Sequence, residues 1–308
     1  MENIKTLQIY DKIKHILSNN NFNISNSESI DFGIQFKVSK FNWNGVIRIY
    51  ENKKGITKID YSQLKDNERL AIVRGLIEGA NLNIRFNENL FPVIGTDESG
   101  KGDFFGPLVS AGVYVDIKSA EKLAVIGVRD SKDNSDQVNL ELAMRITDIC
   151  RGKYAIIEIS PEKYNDLYGQ FKREGKNLNS LLALGHAKAI EEVLGMVDCK
   201  TAIADQFADE NFILGKLQEK GRRIKLIQRH RAEQNIAVAA ASMLARARFL
   251  EKLSNLSKEY KIDFPKGSSS SVVEAANKFC KIYGQSALRK VAKIHFKTVL
   301  EVSRDLNG

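Results

Sequence analysis

The segment Gly95-Thr96-Asp97-Glu98-Ser99-Gly100-Lys101-Gly102-Asp103-Phe104-Phe105-Gly106-Pro107 places two adjacent acids among four glycines. The glycines make a backbone that other groups can approach closely. The acids follow the short apolar run Phe91 to Gly95, which reads as a buried strand. Carboxylates there are costly unless they are paired or bound to a cation. A hard divalent ion such as Mg²⁺ takes carboxylate and water oxygens, so this pair suits one. The ordinary alternative is a solvated turn carrying two surface charges. Neighbours on a regular strand point to opposite faces, so both acids reach one ion cluster only at a distorted strand end.

Gly95 to Lys101 also fits G-x-x-x-x-G-K, most of a phosphate-binding loop. Gly102 stands where a Ser or Thr must hold Mg²⁺, and two carboxylates inside the cradle would repel a nucleotide. Two further acids sit where elements begin or end. Asp205 follows Thr201-Ala202-Ile203-Ala204, at the end of a short strand. Open α/β sheets place their sites at the carboxyl ends of strands. Glu233 opens an Ala-rich helix over Glu233 to Leu253; a first-turn acid also simply suits the helix dipole. The four histidines, His15, His186, His230 and His295, have no HExxH spacing, and Cys150, Cys199 and Cys280 form no CxxC pair. A zinc hydrolase is therefore rejected. Scattered, unpaired cysteines fit a reducing compartment, with each one buried as a small apolar residue.

The elements that must position these acids fall into two groups. In the first, Ile4, Leu7, Ile13, Ile16 and Leu17 recur at helical spacing. Ile34, Phe36 and Val38, then Val46 to Tyr50, then Ile56 to Tyr61 alternate as strands, and Leu64 to Ala80 reads as a helix. The order α-β-β-β-α could fold alone. Asn81 to Leu90 is polar and aperiodic. The expected division is an N-terminal domain over residues 1–85, a linker over 86–92 and a second domain over 93–308. In the second group strands alternate with helices: Val109 to Val115, Tyr154 to Ile159 and Arg223 to Ile227 as strands, Ser135 to Cys150 and Asn177 to Leu194 as helices. That pattern predicts an α/β layer fold with helices flanking a central sheet.

The 308 residues carry 47 Lys and Arg against 38 Asp and Glu, a net charge of +9, which favours a polyanionic partner. Lys216 to Lys252 alone holds ten basic residues against three acids. Trp43 and Tyr50 lie among Lys37, Lys40, Arg48, Lys53 and Lys54, a mixture suited to stacking and backbone contacts, or to an amphipathic sheet. No stretch approaches the ~18 apolar residues of a membrane span, and the N-terminus has no uninterrupted apolar run. A cytoplasmic protein is expected, without a membrane partner and as a monomer.

Gly95 to Gly102, then Asp130-Ser131-Lys132, then Asp205, then Glu233 with Ala239-Ala240-Ala241-Ser242, resemble as an ordered set the type 2 ribonucleases H. The long N-terminal extension makes the chain most similar to the ribonuclease HIII branch. The resemblance implies a ribonuclease-H-like catalytic domain with a central mixed sheet, preceded by a small α+β domain like half of a TATA-binding protein. It implies an endonuclease that hydrolyses the RNA strand of RNA–DNA hybrids and leaves 5′-phosphate and 3′-hydroxyl ends. Asp97, Glu98, Asp205 and Glu233 would be both catalytic and metal-binding, holding two Mg²⁺ or Mn²⁺ ions that clamp the attacking and leaving oxygens. Ser99, Gly100, Lys101 and Gly102 would contact substrate, the Gly-Lys-Gly backbone reading the ribose 2′-OH. Ser131, Lys132 and Asn177 would hold backbone phosphates; on their own, Lys132 reads as a surface lysine and Asn177 as a helix N-cap. Three rivals stand beside this reading: ribonuclease HII-type cleavage at single ribonucleotides in DNA, a non-catalytic hybrid-binding protein, and a branched-DNA nuclease on the same fold.

Overall fold

The computed structural model describes residues 4–41, 43–52, 57–65, 67–81, 91–128, 135–206 and 209–307. The chain divides into two compact units, Met1–Phe86 with Glu121–Val128, and Asn87–Ala120 with Arg129–Gly308. In order, the elements are α1 (Ile4–Ser18), β1 (Asn23–Ile24), β2 (Glu28–Ile30), β3 (Gly33–Lys40), β4 (Trp43–Glu51), β5 (Thr57–Asp60) and α2 (Asn67–Asn81). There follow β6 (Val93–Ser99), β7 (Leu108–Val115), α3 (Ile117–Val125), α4 (Asp136–Ile149), β8 (Tyr154–Ile159), α5 (Pro161–Arg173) and α6 (Leu178–Met196). The last are β9 (Thr201–Asp205), α7 (Asn211–Leu214), β10 (Lys225–Arg229), α8 (Ile236–Tyr260), α9 (Ser270–Tyr283) and α10 (Thr298–Asn307).

In the first unit β3 is the spine of an antiparallel sheet, bordered by β1, β2 and β4, with β5 on β4. The period of two drives Ile34, Phe36, Val38, Ile47 and Ile49 to one face. There they bury Tyr10, Ile13 and Leu17 of α1 and Val73, Leu76 and Ile77 of α2. Gln35, Lys37 and Arg48 alternate onto the other face. The three expected strands are thus five. The additional pair, β1 and β2, are two and three residues long, too short to show a period.

The second unit is built on a mixed sheet in the order β10-β9-β6-β7-β8. β6, β9 and β10 run parallel, and β7 and β8 are antiparallel to their neighbours. α6 covers one face and α8 the other. Both approach closely because small residues meet at the contact. A Cβ on Gly95 would stand 2.2 Å from the α8 backbone at Ala237, and one on Gly185 of α6 would stand 2.3 Å from Ser110 Oγ on β7. The first ten residues of α8, Ile236 to Ala245, are all buried.

Two boundaries differ from the sequence reading. β6 does not stop at Gly95: its pairing with β7 continues through Asp97–Ala111 and Glu98–Ser110 to Ser99–Val109, so the acids lie within the strand. This strand is followed by β7 and not by a helix, which removes the phosphate-binding-loop reading. Glu233 does not begin α8. It occupies a single 3₁₀ turn, Ala232–Gln234, entered through left-handed Arg231 at φ 56°. Asn235 caps α8 by accepting from the Ala237 N–H at 2.9 Å, and a capping Asn starts a helix more decisively than an acid does. Among the described residues, no helix is long and apolar enough to cross a membrane.

The glycine-rich loop between β6 and β7 is strapped down by the C-terminal part of the unit. Gly100 takes φ +89°, and a Cβ there would lie 2.2 Å from the Pro107 carbonyl oxygen, so only glycine closes this turn. Phe105 bridges Ala292, the Gly106 N–H donates to Val291 O at 2.9 Å, and the Lys293 N–H donates to Phe104 O at 2.9 Å. The Lys293 side chain is wholly buried, and its ammonium donates to the carbonyls of Asp103 at 2.8 Å and Gly106 at 2.7 Å. Burial pushes its pKa down to about 7, against a smaller upward pull from Asp103. Between pH ~7 and ~10 the unfolded chain therefore binds a proton that the folded chain does not, and stability rises with pH across that window. Urea denaturation of the wild type and Lys293→Met from pH ~7 to ~10 should show the wild type gaining on the variant, by on the order of 1 kcal/mol per pH unit.

Candidate active site

Parallel pairing of β6 and β9 ends at Thr96–Ala204, so the next residues, Asp97 and Asp205, lie level with each other where these two strands part. They open into a cleft of about 520 Å³. One wall is the continuous stretch Asp97 to Gly102; Asp136, Asn139, Asp205, Ser242 and Arg246 form the rest. Asp97, Glu98, Asp205, Ser99, Gly100, Lys101 and Gly102, all singled out in the sequence, are thus brought together.

The strand alternation holds through the acid pair. Asp97 faces α8, where the Ser242 hydroxyl donates to it, and its Oδ1 also accepts the Glu98 N–H at 2.8 Å. Glu98 faces α6, where His186 Nε2 donates to its Oε2 at 2.9 Å. Thr96, two residues back on the same face, meets His186 Nδ1 through its hydroxyl at 2.9 Å. The two acids therefore point to opposite faces and still border one cleft, because β6 and β9 part beside them. Lys101 closes the group from the loop, its ammonium 2.8 Å from Glu98 Oε1.

The electrostatics follow from burial. Desolvation, with Glu98 next to it, drives the Asp97 carboxyl far above the ordinary range. Desolvation also opposes ionisation of Glu98, but the His186 hydrogen bond and charge, and then Lys101, overcome it and hold Glu98 low. The Lys101 ammonium loses hydration at the cleft wall. It is nonetheless held in its charged form by Glu98, and further by Asp97 and Asp205. Three carboxylates thus already draw one cation to themselves. Their donor set is oxygen only, which fits a hard divalent ion and not a soft one. Among the described residues no three acids, histidines or cysteines stand as a ready ligand cage. Asp205 Oδ1 instead accepts the Ala232 N–H at 3.3 Å.

Glu233 follows Ala232 directly but is not part of the cleft wall; it is half-buried in its 3₁₀ turn. Asn177 caps α6, accepting the Asn179 N–H at 3.0 Å, and likewise stands outside the wall. Asp130, Ser131 and Lys132 lie outside the described residues. Sequence reasoning missed His186, counted only against a zinc site. The available signal was a lone histidine inside the otherwise apolar Leu181–Ala187 stretch of α6. It also missed Asp136, Asn139 and Arg246, which read as ordinary helix-surface residues. All three cysteines are free and buried.

The family model described as Ribonuclease HII matches residues 94–299. A ribonuclease HIII of Protochlamydia amoebophila is 49% identical over 211 residues, 68% of each chain. A ribonuclease HIII of Chlamydia muridarum is 47% identical over 218 residues, 70% of each. Among solved structures, Bst-RNase HIII in complex with Mn²⁺ shares the fold with a TM-score of 0.64 at 22% identity, over 99% of this chain and 97% of that one. Aquifex aeolicus RNase H3 aligns with a TM-score of 0.55 at 27% identity, over 94% and 97%. The match covers both strands that carry the acids and the helices that hold them, and the chain belongs to the ribonuclease HII family, beside relatives that bear the name ribonuclease HIII.

Proposed function

We propose that this nuclease hydrolyses the RNA strand of RNA–DNA hybrids endonucleolytically and leaves 5′-phosphate and 3′-hydroxyl ends. The observation that carries the reading is the convergence of Asp97, Glu98 and Asp205 on one cleft whose wall is the Gly100-Lys101-Gly102 backbone. Asp97, Glu98, Asp205 and Glu233 are the residues that would hold two Mg²⁺ or Mn²⁺ ions. Such ions, when bound, supply Lewis acidity toward the phosphate and the attacking water.

The chain's own groups do the positioning. Ser242 and the Glu98 N–H fix the Asp97 carboxylate, and His186 fixes that of Glu98. Gly102 has open space where a Cβ would stand, so backbone N–H and C=O groups there are accessible to a ribose 2′-OH. Lys101 offsets part of the carboxylate charge that would otherwise repel a phosphodiester. Ser99 extends the same wall, and Ser131, Lys132 and Asn177 are assigned to backbone phosphates. Residues 1–85 form the substrate-binding domain and 93–308 the catalytic one, joined through 86–92. The protein works in the cytoplasm as a monomer.

Asp97→Asn should still bind a labelled RNA–DNA hybrid while its cleavage with Mg²⁺ or Mn²⁺ falls below detection on a sequencing gel. Wild-type cutting only at a lone ribonucleotide in DNA would move the function to the ribonuclease HII type. No cutting by folded wild type with either metal would sink the enzymatic reading. His186→Phe should cost about 1–3 kcal/mol in urea denaturation, because Thr96 and Glu98 lose a buried partner. It should also raise the Mg²⁺ concentration needed for half-maximal rate; an unchanged requirement would contradict the role given to His186.

A further inference from the structure

We infer that Arg246 and Lys266, gathered on Asp136, form a binding site for a backbone phosphate of the nucleic-acid substrate. This rests on the hybrid-cleaving reading and adds a contact at the edge of the cleft, where Asp136 of α4 and Arg246 of α8 belong to the wall and Lys266 stands beside them on Asp136. Arg246 follows Ser242 by one turn of α8, so the side chain that leaves Ser242 on Asp97 places Arg246 further along the same face. Its Nη2 and Nε reach Asp136 Oδ1 at 3.0 and 3.3 Å, and its guanidinium lies over the Phe249 ring at 5.5 Å. Phe249 is wholly buried against Gly100 and Gly106 of the glycine-rich loop. Lys266 contacts the other oxygen of Asp136. The next residue, Gly267, donates its N–H to Asp103 Oδ1 at 2.7 Å and accepts the Phe104 N–H at 2.9 Å. Both cations are therefore mounted on the framework that holds the loop.

Their charge is not balanced. Two cations share one carboxylate, which leaves an excess of one positive charge within this group of three side chains. Burial pulls the Asp136 carboxyl up, but Lys266 and Arg246 more than offset this and keep it ionised. Among the described residues, Arg246 Nη1 makes no hydrogen bond and the Lys266 ammonium makes only the one to Asp136. Arginine presents five N–H donors in a planar fork, and lysine presents three donors, so capacity is left for the oxygens of a phosphodiester. The remaining acids of the cleft, Asp97, Glu98 and Asp205, repel such a group, which leaves this corner as its attractive counterpart. Side-chain exposures of 25% for Arg246 and 46% for Lys266 keep both open to solvent. A purely structural network tying α4 to α8 would need neither the spare donors nor the excess charge.

The test is the salt dependence of binding. Anisotropy of a labelled RNA–DNA hybrid is followed without divalent metal, so that nothing is cut, from about 50 to 200 mM NaCl. Arg246→Met and Lys266→Met should each weaken binding and lower the slope of log affinity against log salt by about one, while Arg246→Lys keeps the wild-type slope. Wild-type slopes in both Met variants, with only a lower melting temperature, would overturn the site and leave a structural ion pair. Should Arg246→Met fail to fold, the half-exposed Lys266→Met decides alone. Wild type that binds no hybrid even at the lowest salt would overturn the hybrid reading itself, a result distinct from intact slopes in the variants.

Discussion

Burying Asp97 and Glu98 side by side at the end of a central strand creates a charge problem that the surrounding structure is arranged to meet. Each carboxylate loses hydration, and each raises the cost of ionising the other. Strand alternation separates them onto opposite faces, so they need separate partners from separate layers. α8 answers on one side with Ser242, α6 on the other with His186, and the loop adds Lys101. The small residues that let these helices approach, Gly95 and Gly185, are therefore part of the same arrangement. A methyl group at either would push the helix away from the strand and its hydrogen-bonding side chain with it.

The asymmetry of the pair has chemical meaning. Glu98 is fully supplied with donors and stays an anion. Asp97, with Ser242 and one backbone N–H, is left with its charge incompletely met. An incompletely satisfied carboxylate at a strand end is poised to gain most from a cation. Three of the cleft's acids lie at the ends of β6 and β9, Lys101 and Arg246 lie on the loop and helix around them, and Asp136 of α4 is the acid that holds Arg246. A net charge of +9 over the chain is consistent with that outer distribution and says nothing about the acidic centre.

Much of this was legible in the residues. The acid pair, the glycine-rich loop and Asp205 are contiguous motifs, and short-range pattern suffices to find them. The buried faces of β3 and β4 follow from a period of two. What sequence concealed was tertiary. β6 outruns its apolar stretch because β7 continues to pair with it, and no local signal reports a partner strand. His186 becomes meaningful only when α6 lies over Glu98, 88 residues away. Arg246 and Asp136 read as surface charges until α4 and α8 are packed together, 110 residues apart. An acid suits a first helical turn, which makes Glu233 look like the start of α8; Asn235 is the better cap and takes that position.

The clasp on the glycine-rich loop carries a temporal consequence. Lys293 and its neighbours reach back 190 residues to Asp103, so the loop is synthesised long before the segment that closes it. At ribosomal rates of about 5–20 residues per second, that interval lasts on the order of 10–40 s. Until then the glycine-rich loop lacks the ammonium that gathers its carbonyls. A translation product that ends before Lys293 would lack that clasp altogether.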